Sequence, residues 1–260
     1  MTAWQVQLHF DPAVLTWISG GSLEGDYVFA YHLGSDKFTG NCTLLQITFK
    51  GKTVGISSLH FSETMTKLYS DGVKTPFNTA DGIAKVAHPE IVLTKITPYK
   101  TIVSQGYSTH INVTIENQGG PTENFNVTTY ANTTIIDTLT NVTLTSENSI
   151  TLTFTWNTTG FAKGNYTISA YAWPVPDEIN TTNNNFTDGW VIVAMPGDIT
   201  SPDGWPDGLV DIDDVMPIAL AFGAIQGQDS YNPNYDFNND GLIDIDDVLV
   251  PALRFGEIDP

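Results

Sequence analysis

The carboxyl-terminal part of the chain contains one short sequence twice, and this duplication constrains the fold more than any other feature. Residues 207–223 read DGLVDIDDVMPIALAFG, and residues 240–256, 33 positions later, read DGLIDIDDVLVPALRFG. Of the 17 aligned positions, 12 are identical. A repeat of this length holds a loop, a helix and a connector, so it predicts two copies of one small unit in a pseudo-symmetric pair.

The second copy has oxygen-bearing groups at the spacing of a calcium-binding loop. With Asp236 as position 1, the candidates at positions 3, 5, 7, 9 and 12 are Asn238, Asp240, the Leu242 carbonyl, Asp244 and Asp247. Ca²⁺ prefers roughly six to eight oxygen ligands, and alternate side chains of a tightly wound loop converge on one centre. Gly241 at position 6 allows the sharp turn. The pattern predicts one bound calcium ion.

The first copy predicts a second calcium ion but leaves its register open. The groups that match positions 5, 7, 9 and 12 are Asp207, the Leu209 carbonyl, Asp211 and Asp214, with Gly208 at position 6. A strict loop would begin at Asp203 and place Trp205, which cannot bind calcium, at position 3. The alternative begins at Asp198, tolerates a five-residue bulge, and uses Asp203 as a substitute ligand.

An apolar segment follows each loop and predicts a short helix. The positions expected to face the core are Val215, Ile218, Ala219 and Phe222 in the first copy and Val248, Ala252 and Phe255 in the second. Pro217 and Pro251 predict a kink or an early break, because proline removes a helical hydrogen bond. Gly223 and Gly256 are predicted helix stops.

A duplicated calcium loop followed by one helix, without the leading helix of a full EF-hand, resembles the type I dockerin module over residues 197–258. The resemblance implies a non-catalytic module, residues 196–260, that binds a cohesin-type protein domain once two Ca²⁺ ions have ordered it. In that family the contact pair lies at loop positions 10 and 11. Here those positions are Ile212 with Asp213 and Ile245 with Asp246. The Ser-Thr pair of better-known members is absent, so their partner preference does not transfer.

The charge distribution excludes several classes of partner. The chain has 29 acidic and 10 basic residues, which gives a net charge of −19, and no uninterrupted apolar run is long enough to span a membrane. From residue 197 onward there are 14 acidic residues and one basic residue, Arg254. Such a surface repels nucleic acid and anionic lipid. Crowded carboxylates instead favour a bound cation, without which their repulsion opposes folding.

Sequons and calcium loops indicate an exported protein. Asn-x-Ser/Thr occurs at Asn41, Asn112, Asn126, Asn132, Asn141, Asn157, Asn165, Asn180 and Asn185. Threonine-rich strands also produce sequons by chance, so glycosylation and mere composition remain alternatives. No signal peptide follows Met1. We therefore expect a secreted or cell-surface protein whose export signal lies upstream of an amino-terminally truncated chain.

Residues 1–90 are predicted to form a β-sandwich. In the first strand Trp4, Val6, Leu8 and Phe10 alternate with Ala3, Gln5, Gln7 and His9, which gives one buried and one exposed face. The sequences WQVQLHFDPAVL at 4–15, LLQITFK at 44–50 and DGIAKV at 81–86 resemble the cohesin-like family of jelly-roll sandwiches. Another strand usually precedes the Trp4 strand in that family. We therefore expect an unpaired edge and a partly open core.

Residues 91–195 are predicted to form an immunoglobulin-like sandwich, because short strands rich in Thr, Val, Ile and aromatic residues alternate with turns. The sequences NQG at 117–119, TFTWN at 153–157, GNYTISA at 164–170 and NTTNNNF at 180–186 resemble the CARDB family of surface modules associated with adhesion. That resemblance implies no catalytic residues. The overall prediction is a multidomain, mainly β protein: two antiparallel sandwiches followed by a small α module with paired calcium loops.

The sequence favours binding over catalysis. The five histidines, His9, His32, His60, His88 and His110, are dispersed, and no phosphate-binding or nucleophile motif appears. We therefore expect a non-catalytic scaffolding or adhesion protein. The alternatives are the tail of a larger secreted hydrolase and self-assembly through pairing of cohesin-like and dockerin-like segments. Trp17 and Trp205 are candidates for stacking on polysaccharide, although isolated tryptophans of β proteins more often lie in the core.

Overall fold

Strands are the main regular elements of the part of the chain that the structure, a computed structural model, describes: residues 2–34, 45–70, 73–74, 78–201 and 203–259. The candidate glycosylation site Asn41 lies outside these residues. The chain divides into two units, residues 1–88 and 89–260. Each unit has its own core.

The first unit contains nine strands. They are β1 (Thr2–His9), β2 (Leu15–Ser19), β3 (Ser22–Glu24), β4 (Tyr27–Gly34), β5 (Thr48–Gly51), β6 (Gly55–Phe61), β7 (Lys67–Ser70), β8 (Val73–Lys74) and β9 (Gly82–Val86). The larger sheet has the order β3-β4-β1-β6-β9, with β7 between β1 and β8, and β2 pairs with β5 in a separate sheet. The buried core is small and consists of Phe10, Val14, Leu15 and Val28.

Strand β1 shows where alternation predicts burial in this unit and where it does not. Trp4, Leu8 and Phe10 are buried as predicted. Gln7, predicted to be exposed, is also buried, because the turn at 62–66 covers it and the Ser62 amide donates to its carbonyl at 3.0 Å. Strand β1 pairs with β4 on one side and with β6 and β7 on the other. An unpaired edge therefore does not lie at the Trp4 strand.

The second unit begins with a β-sandwich. Its strands are β10 (Ile91–Pro98), β11 (Ile102–Ser104), β12 (Ser108–Asn117), β13 (Glu123–Ala131), β14 (Thr134–Leu144), β15 (Ser149–Asn157), β16 (Gly164–Ala172) and β17 (Asn185–Ala194). One sheet has the order β10-β12-β15 and the other β11-β17-β16-β13-β14. The inward side chains of β12 alternate with outward ones, as the sequence predicts, and Ile111, Val113 and Ile115 are buried against Phe154 and Trp156.

The duplicated sequence forms two helices, α1 (Ile212–Leu220) and α2 (Ile245–Ala252). The predicted core face is wrong at four positions, because Ala219, Phe222, Ala252 and Phe255 are exposed. Both phenylalanines lie beyond the last helical residue, so helical spacing does not apply to them. The proline prediction is only partly met: α1 continues for one turn through Pro217, and α2 ends one residue after Pro251.

The segment after each helix pairs with the loop of the other copy. After α1, the Gly223 amide donates to the Ile243 carbonyl at 2.8 Å. After α2, the Gly256 amide donates to the Val210 carbonyl at 2.7 Å. Both members of the second bond lie 33 positions from their counterparts in the first. The repeat is therefore a pseudo-twofold pair in which each copy completes the other.

The helical pair shares a core with the sandwich. Residues of both form one buried cluster: Ile102, Ala194, Ile199, Ile218, Ala221, Ala224, Phe237 and Ile243. The predicted segments 91–195 and 196–260 consequently lie in one compact unit.

Candidate calcium loops and docking surface

The second loop, residues 236–247, is organised by two buried carboxylates. Asp236 is 0% exposed and accepts hydrogen bonds from the amides of Asn239 at 2.7 Å and Gly241 at 2.9 Å. Asp247 is 1% exposed and accepts from the amides of Phe237 at 2.7 Å and Asp244 at 3.0 Å. The first and last ligand candidates thus hold the loop in a closed turn.

The first loop, residues 198–214, repeats this pattern. Asp198 accepts from the amides of Asp207 at 3.2 Å and Gly208 at 2.8 Å. Asp214 accepts from the amides of Ile199 at 2.8 Å and Asp211 at 3.0 Å. Both carboxylates are buried, at 2% and 0% exposure.

This correspondence favours the register of the first loop that begins at Asp198. Asp198 has the hydrogen-bond role of Asp236, and Asp214 has that of Asp247. Asp203, the other candidate for the first position, is exposed. The extra residues between Asp198 and Asp207 form the bulge that the longer register requires.

The other ligand candidates engage nearby backbone groups. The side chains that accept a hydrogen bond from the amide two residues later are Asp207, Asp211, Asn238, Asp240 and Asp244. Leu209 and Leu242 form isolated bridges with Ile258 and Ile225. Among the residues that the structure describes, no three His, Cys, Asp or Glu side chains are close enough together to hold a metal ion. The candidates line each loop without forming a carboxylate cluster.

Four of these carboxylates have a second role at the helix starts. Asp211 and Asp214 form a capping box at α1, and Asp244 and Asp247 form one at α2. Capping satisfies backbone amides that a helix leaves unpaired, and typically contributes about 1 kcal/mol. A carboxylate three residues after an Asp and before an apolar segment predicts such a cap from sequence. The aspartates at loop positions 9 and 12 therefore have a role in helix capping that does not require calcium.

Burial makes the loops electrostatically unfavourable when their carboxylates are charged. It raises the pKa of Asp198 to about 6, and the nearby Asp214 and Asp207 charges add to the effect. Burial also raises the pKa of Asp214 and of Asp247. Hard oxygen donors that are buried and mutually repulsive match the ligand chemistry of Ca²⁺. The oxygen donors of each loop thus have the chemistry of calcium ligands, although the described side chains do not form the cluster that would hold an ion.

The two helices expose matching rows of apolar side chains. On α1 these are Ile212, Met216 and Leu220. Their counterparts, also four residues apart, are Ile245 and Leu249 on α2 and Leu253 directly after its last residue. The predicted contact residues Ile212 and Ile245 lie at the amino-terminal end of each row, beside half-buried Asp213 and exposed Asp246. We call these six side chains the helical ridges.

Comparison with protein families identifies the sandwich that carries this module. The family model described as CARDB matches residues 88–188. Residues 88–188 form a CARDB domain. No curated protein matches the chain. The family match agrees with the sequence resemblance seen at residues 91–195.

Two solved structures are similar to part of this chain. A CARDB domain from Pyrococcus furiosus, solved in complex with two metal ions, is 26% identical, covering 43% of this chain and 99% of that one, with a TM-score of 0.36. A domain of a putative cell surface protein from Methanosarcina acetivorans is 32% identical, covering 41% and 92%, with a TM-score of 0.34.

A type II cohesin-X-dockerin complex from Acetivibrio cellulolyticus also matches, at 19% identity, covering 52% of this chain and 83% of that one. Its TM-score of 0.23 is too low to show fold or partner. The dockerin-like and cohesin-like assignments therefore stay predictions. No helix in the described part of the chain is long and apolar enough to cross a membrane.

The CARDB domain contacts both loops of the module. At the first loop, the Gly197 amide donates to Ser104 Oγ at 3.2 Å. Trp205, in the bulge, lies against Trp190 of β17 with ring centroids 5.0 Å apart. The predicted sugar-stacking residue Trp205 thus joins the two parts of the unit.

The contacts with the second loop are more numerous. Asn234 Oδ1 accepts from the amides of Thr101 at 3.0 Å and Ile102 at 3.2 Å, and Asn239 Nδ2 donates to the Ser108 carbonyl at 3.0 Å. Lys100 Nζ donates to the Asp236 carbonyl. The sequence reasoning missed Lys100, which lies in a turn far from the repeat and has no motif of its own.

Lys100 is only 2% exposed. Burial lowers its pKa to about 8, while the nearby Asp236 and Asp247 carboxylates act in the opposite direction. The ammonium form therefore predominates at pH 7. A buried, charged amine thus contacts the first residue of the second loop.

Most predicted glycosylation sites of the CARDB domain are accessible. The exposed asparagines are Asn132, Asn141, Asn157, Asn165, Asn180 and Asn185, whereas Asn112 and Asn126 are half-buried. Asn126 Oδ1 also accepts from the Asn141 amide at 3.0 Å. Exposure permits glycosylation at the first six sites, which stays a prediction.

Proposed function

We propose that this protein is a non-catalytic scaffolding or adhesion protein outside the cell, whose carboxyl-terminal module binds two calcium ions and docks onto a cohesin-type domain. The observation that carries the proposal is the repeated hydrogen-bond pattern: equivalent buried carboxylates close both loops and begin both helices. A cell-surface location is consistent with the similar domain from a putative cell surface protein of Methanosarcina acetivorans.

Calcium would act by stabilising the folded loops. Asp198, Asp214, Asp236 and Asp247 are buried carboxylates, and each pays a desolvation cost when it is charged. An ion that binds only the folded loop offsets this cost, so binding free energy becomes folding free energy. Because the same loops begin α1 and α2, loading them would order both helical ridges.

The helical ridges are the proposed docking surface. The six apolar side chains of the ridges are exposed at matching positions of the two copies. Exposed apolar patches on a soluble protein typically mark sites of interaction with a partner. The ridges lie beside acidic Asp213 and Asp246, so a partner with an apolar surface bordered by basic residues would be complementary. Because the module resembles a dockerin, the partner that we propose is a cohesin-type domain.

Binding of the full chain to recombinant type I and type II cohesin domains tests the proposal. We expect binding in calcium, loss of binding in EDTA, and at least about tenfold weaker binding for Leu220→Asp combined with Leu253→Asp, since a charge would be desolvated in the interface. Ile135→Asp is the matched control, because Ile135 is an exposed apolar residue of β14 in the CARDB domain.

The proposal is contradicted if neither cohesin binds, or if the ridge substitutions act no more strongly than the control. Sedimentation of the full chain in the same buffers tests the self-assembly alternative. A calcium-dependent increase in mass without any added cohesin would favour that alternative.

A further inference from the structure

We infer that the CARDB domain supplies Lys100 as a fixed counter-ion to the second loop, and thereby lowers the calcium affinity of that loop alone. This inference rests on the proposed calcium binding. It goes beyond it, because it assigns control of one site to a residue of the neighbouring domain.

The position of Lys100 is fixed by its own domain. It lies in the turn between β10 and β11, where its amide donates to Thr109 Oγ1 at 3.2 Å and the Tyr99 amide donates to the His110 carbonyl at 2.8 Å. Its side chain is almost fully buried and ends at the Asp236 carbonyl. The ammonium group therefore has little freedom to move away from the loop.

The beginning of the second loop and the residues just before it are held against this turn. Asn234, just before the loop, accepts from the Thr101 and Ile102 amides, and Asn239 within the loop donates to the Ser108 carbonyl. Tyr231 bridges Tyr99 at 3.1 Å and Asp236 at 2.5 Å. The distance from the ammonium group to the Asp236 and Asp247 carboxylates is therefore set by the interface between the domains.

Two basic residues lie near the first loop in the described part of the chain, but neither is buried as Lys100 is. Arg254, beside Gly197, is 41% exposed and pairs with Glu257 at 3.3 Å. Lys163 of the CARDB domain lines the same surface cavity as Asp198 and Asp207, but its ammonium group forms an ion pair with Asp259. It is also about one third exposed. Its charge is thus neutralised by a carboxylate outside the loop and screened by water.

A buried cation beside ligand carboxylates has two opposite effects. In the absence of calcium it offsets the repulsion between Asp236 and Asp247 and stabilises the interface. In the presence of calcium it repels the incoming divalent ion. If Lys100 were only a structural anchor, its removal would loosen the loop and weaken calcium binding. If its charge repels calcium, its removal should strengthen calcium binding.

Calcium titration calorimetry of the full chain tests the inference in an Asp207→Ala background, in which weakened calcium binding by the first loop leaves the second loop as the tighter site. Adding Lys100→Met removes the charge and keeps most of the aliphatic side chain. We expect the calcium Kd of the second loop to fall by about tenfold, because like charges a few ångströms apart in a partly buried site repel strongly. Lys95→Met, the same change at an exposed lysine of β10, should leave the Kd within about twofold, because exposed charges are screened.

Thermal unfolding gives the second readout. The Lys100→Met substitution should lower the melting temperature more in EDTA than in calcium, and Lys100→Gln should act in the same direction if the methionine variant folds poorly. An unchanged or higher Kd in both variants overturns this inference alone. A complete lack of calcium binding by the Asp207→Ala chain, with Lys100 intact, overturns the proposed calcium function together with it.

Discussion

The two loops of the module share their internal hydrogen bonds but differ in what surrounds them. The first loop contains a bulge whose Trp205 contacts Trp190, and its charges face a lysine that is already paired. The second loop has no bulge, and the buried Lys100 stands beneath it. Duplication therefore preserved the local turn, while the neighbouring CARDB domain made the two copies unequal.

The largest expected difference comes from removing the first carboxylate of each loop. Asp236→Ala should lower the free energy of unfolding in calcium by about 3–5 kcal/mol, the usual effect of breaking a buried charge interaction. Asp198→Ala should have a smaller effect, because Asp198 accepts two backbone bonds whereas Asp236 also accepts one from Tyr231. Urea unfolding of both variants in calcium measures the difference, and a larger loss for Asp198→Ala would contradict this order.

Much of this asymmetry was beyond the reach of sequence. The repeat predicted both loops because ligand positions and the turn glycine are local properties. Lys100 could not be predicted, since its partner Asp236 lies 136 positions away and only the fold brings them together. The exposed Phe222 and Phe255 were mispredicted because helical spacing was extended past the ends of α1 and α2. The capping boxes, by contrast, were visible as Asp-x-x-Asp and were overlooked.

The strands show the same division between local pattern and context. Alternation in β12 predicted its buried residues because both neighbouring strands and the opposite sheet enforce two distinct faces. In β1, Gln7 is buried by the turn at residues 62–66, which the alternating pattern of β1 alone cannot predict. The contact between the CARDB domain and the module was likewise absent from the sequence reasoning, because a core shared by two segments has no sequence motif.

The pH dependence of stability without calcium should separate the loops further. The pKa of Asp198 is raised from 3.8 to about 6 by burial, so the folded state binds more protons than the unfolded state in this range. The contribution of Asp198 to stability is therefore present below pH 3.8 and is lost as the pH rises toward 6.

Chemical denaturation in EDTA at several pH values checks this sign. Asp198→Asn, which cannot ionise, should lose less stability than the wild type between pH 4 and pH 6. In calcium the trend should reverse, because the ion requires the charged carboxylate. If the free energy of unfolding changes with pH as steeply in Asp198→Asn as in the wild type, groups other than Asp198 cause the pH dependence.

The exposed ligand candidates give a smaller effect that acts on affinity rather than folding. Asp240→Ala should weaken calcium binding by the second loop, and Asp207→Ala by the first, each by about tenfold or more, because each removes one charged oxygen ligand. In EDTA both should change stability by less than about 0.5 kcal/mol, as exposed substitutions usually do. Calorimetric titrations paired with unfolding in EDTA check both statements.

The same titrations test the relative affinity of the loops. The second loop has the more complete ligand set, which by itself predicts the tighter site. Lys100 acts against this order. We expect the second loop to be clearly the tighter one in the Lys100→Met variant, and a tighter first loop in that variant would contradict the ligand assignment.

The smallest expected effect is at the bulge. Trp205→Ala should lower the free energy of unfolding by roughly 1 kcal/mol, because the Trp190 contact is partly exposed and aromatic pairs of this kind contribute modestly. It should also change the near-ultraviolet circular dichroism of the tryptophans and leave calcium binding by the second loop unaltered. An altered calcium Kd of the second loop would show that the influence of the bulge extends beyond the first loop.

The most direct test of calcium binding is the number of ions that the intact chain holds. Native mass spectrometry of the 260-residue chain, first stripped with EDTA and then titrated with calcium, should show two successive additions of one Ca²⁺ each. Asp207→Ala and Asp240→Ala should each remove one of these two steps. A spectrum without specific calcium adducts, or one that these substitutions leave unchanged, would contradict the account.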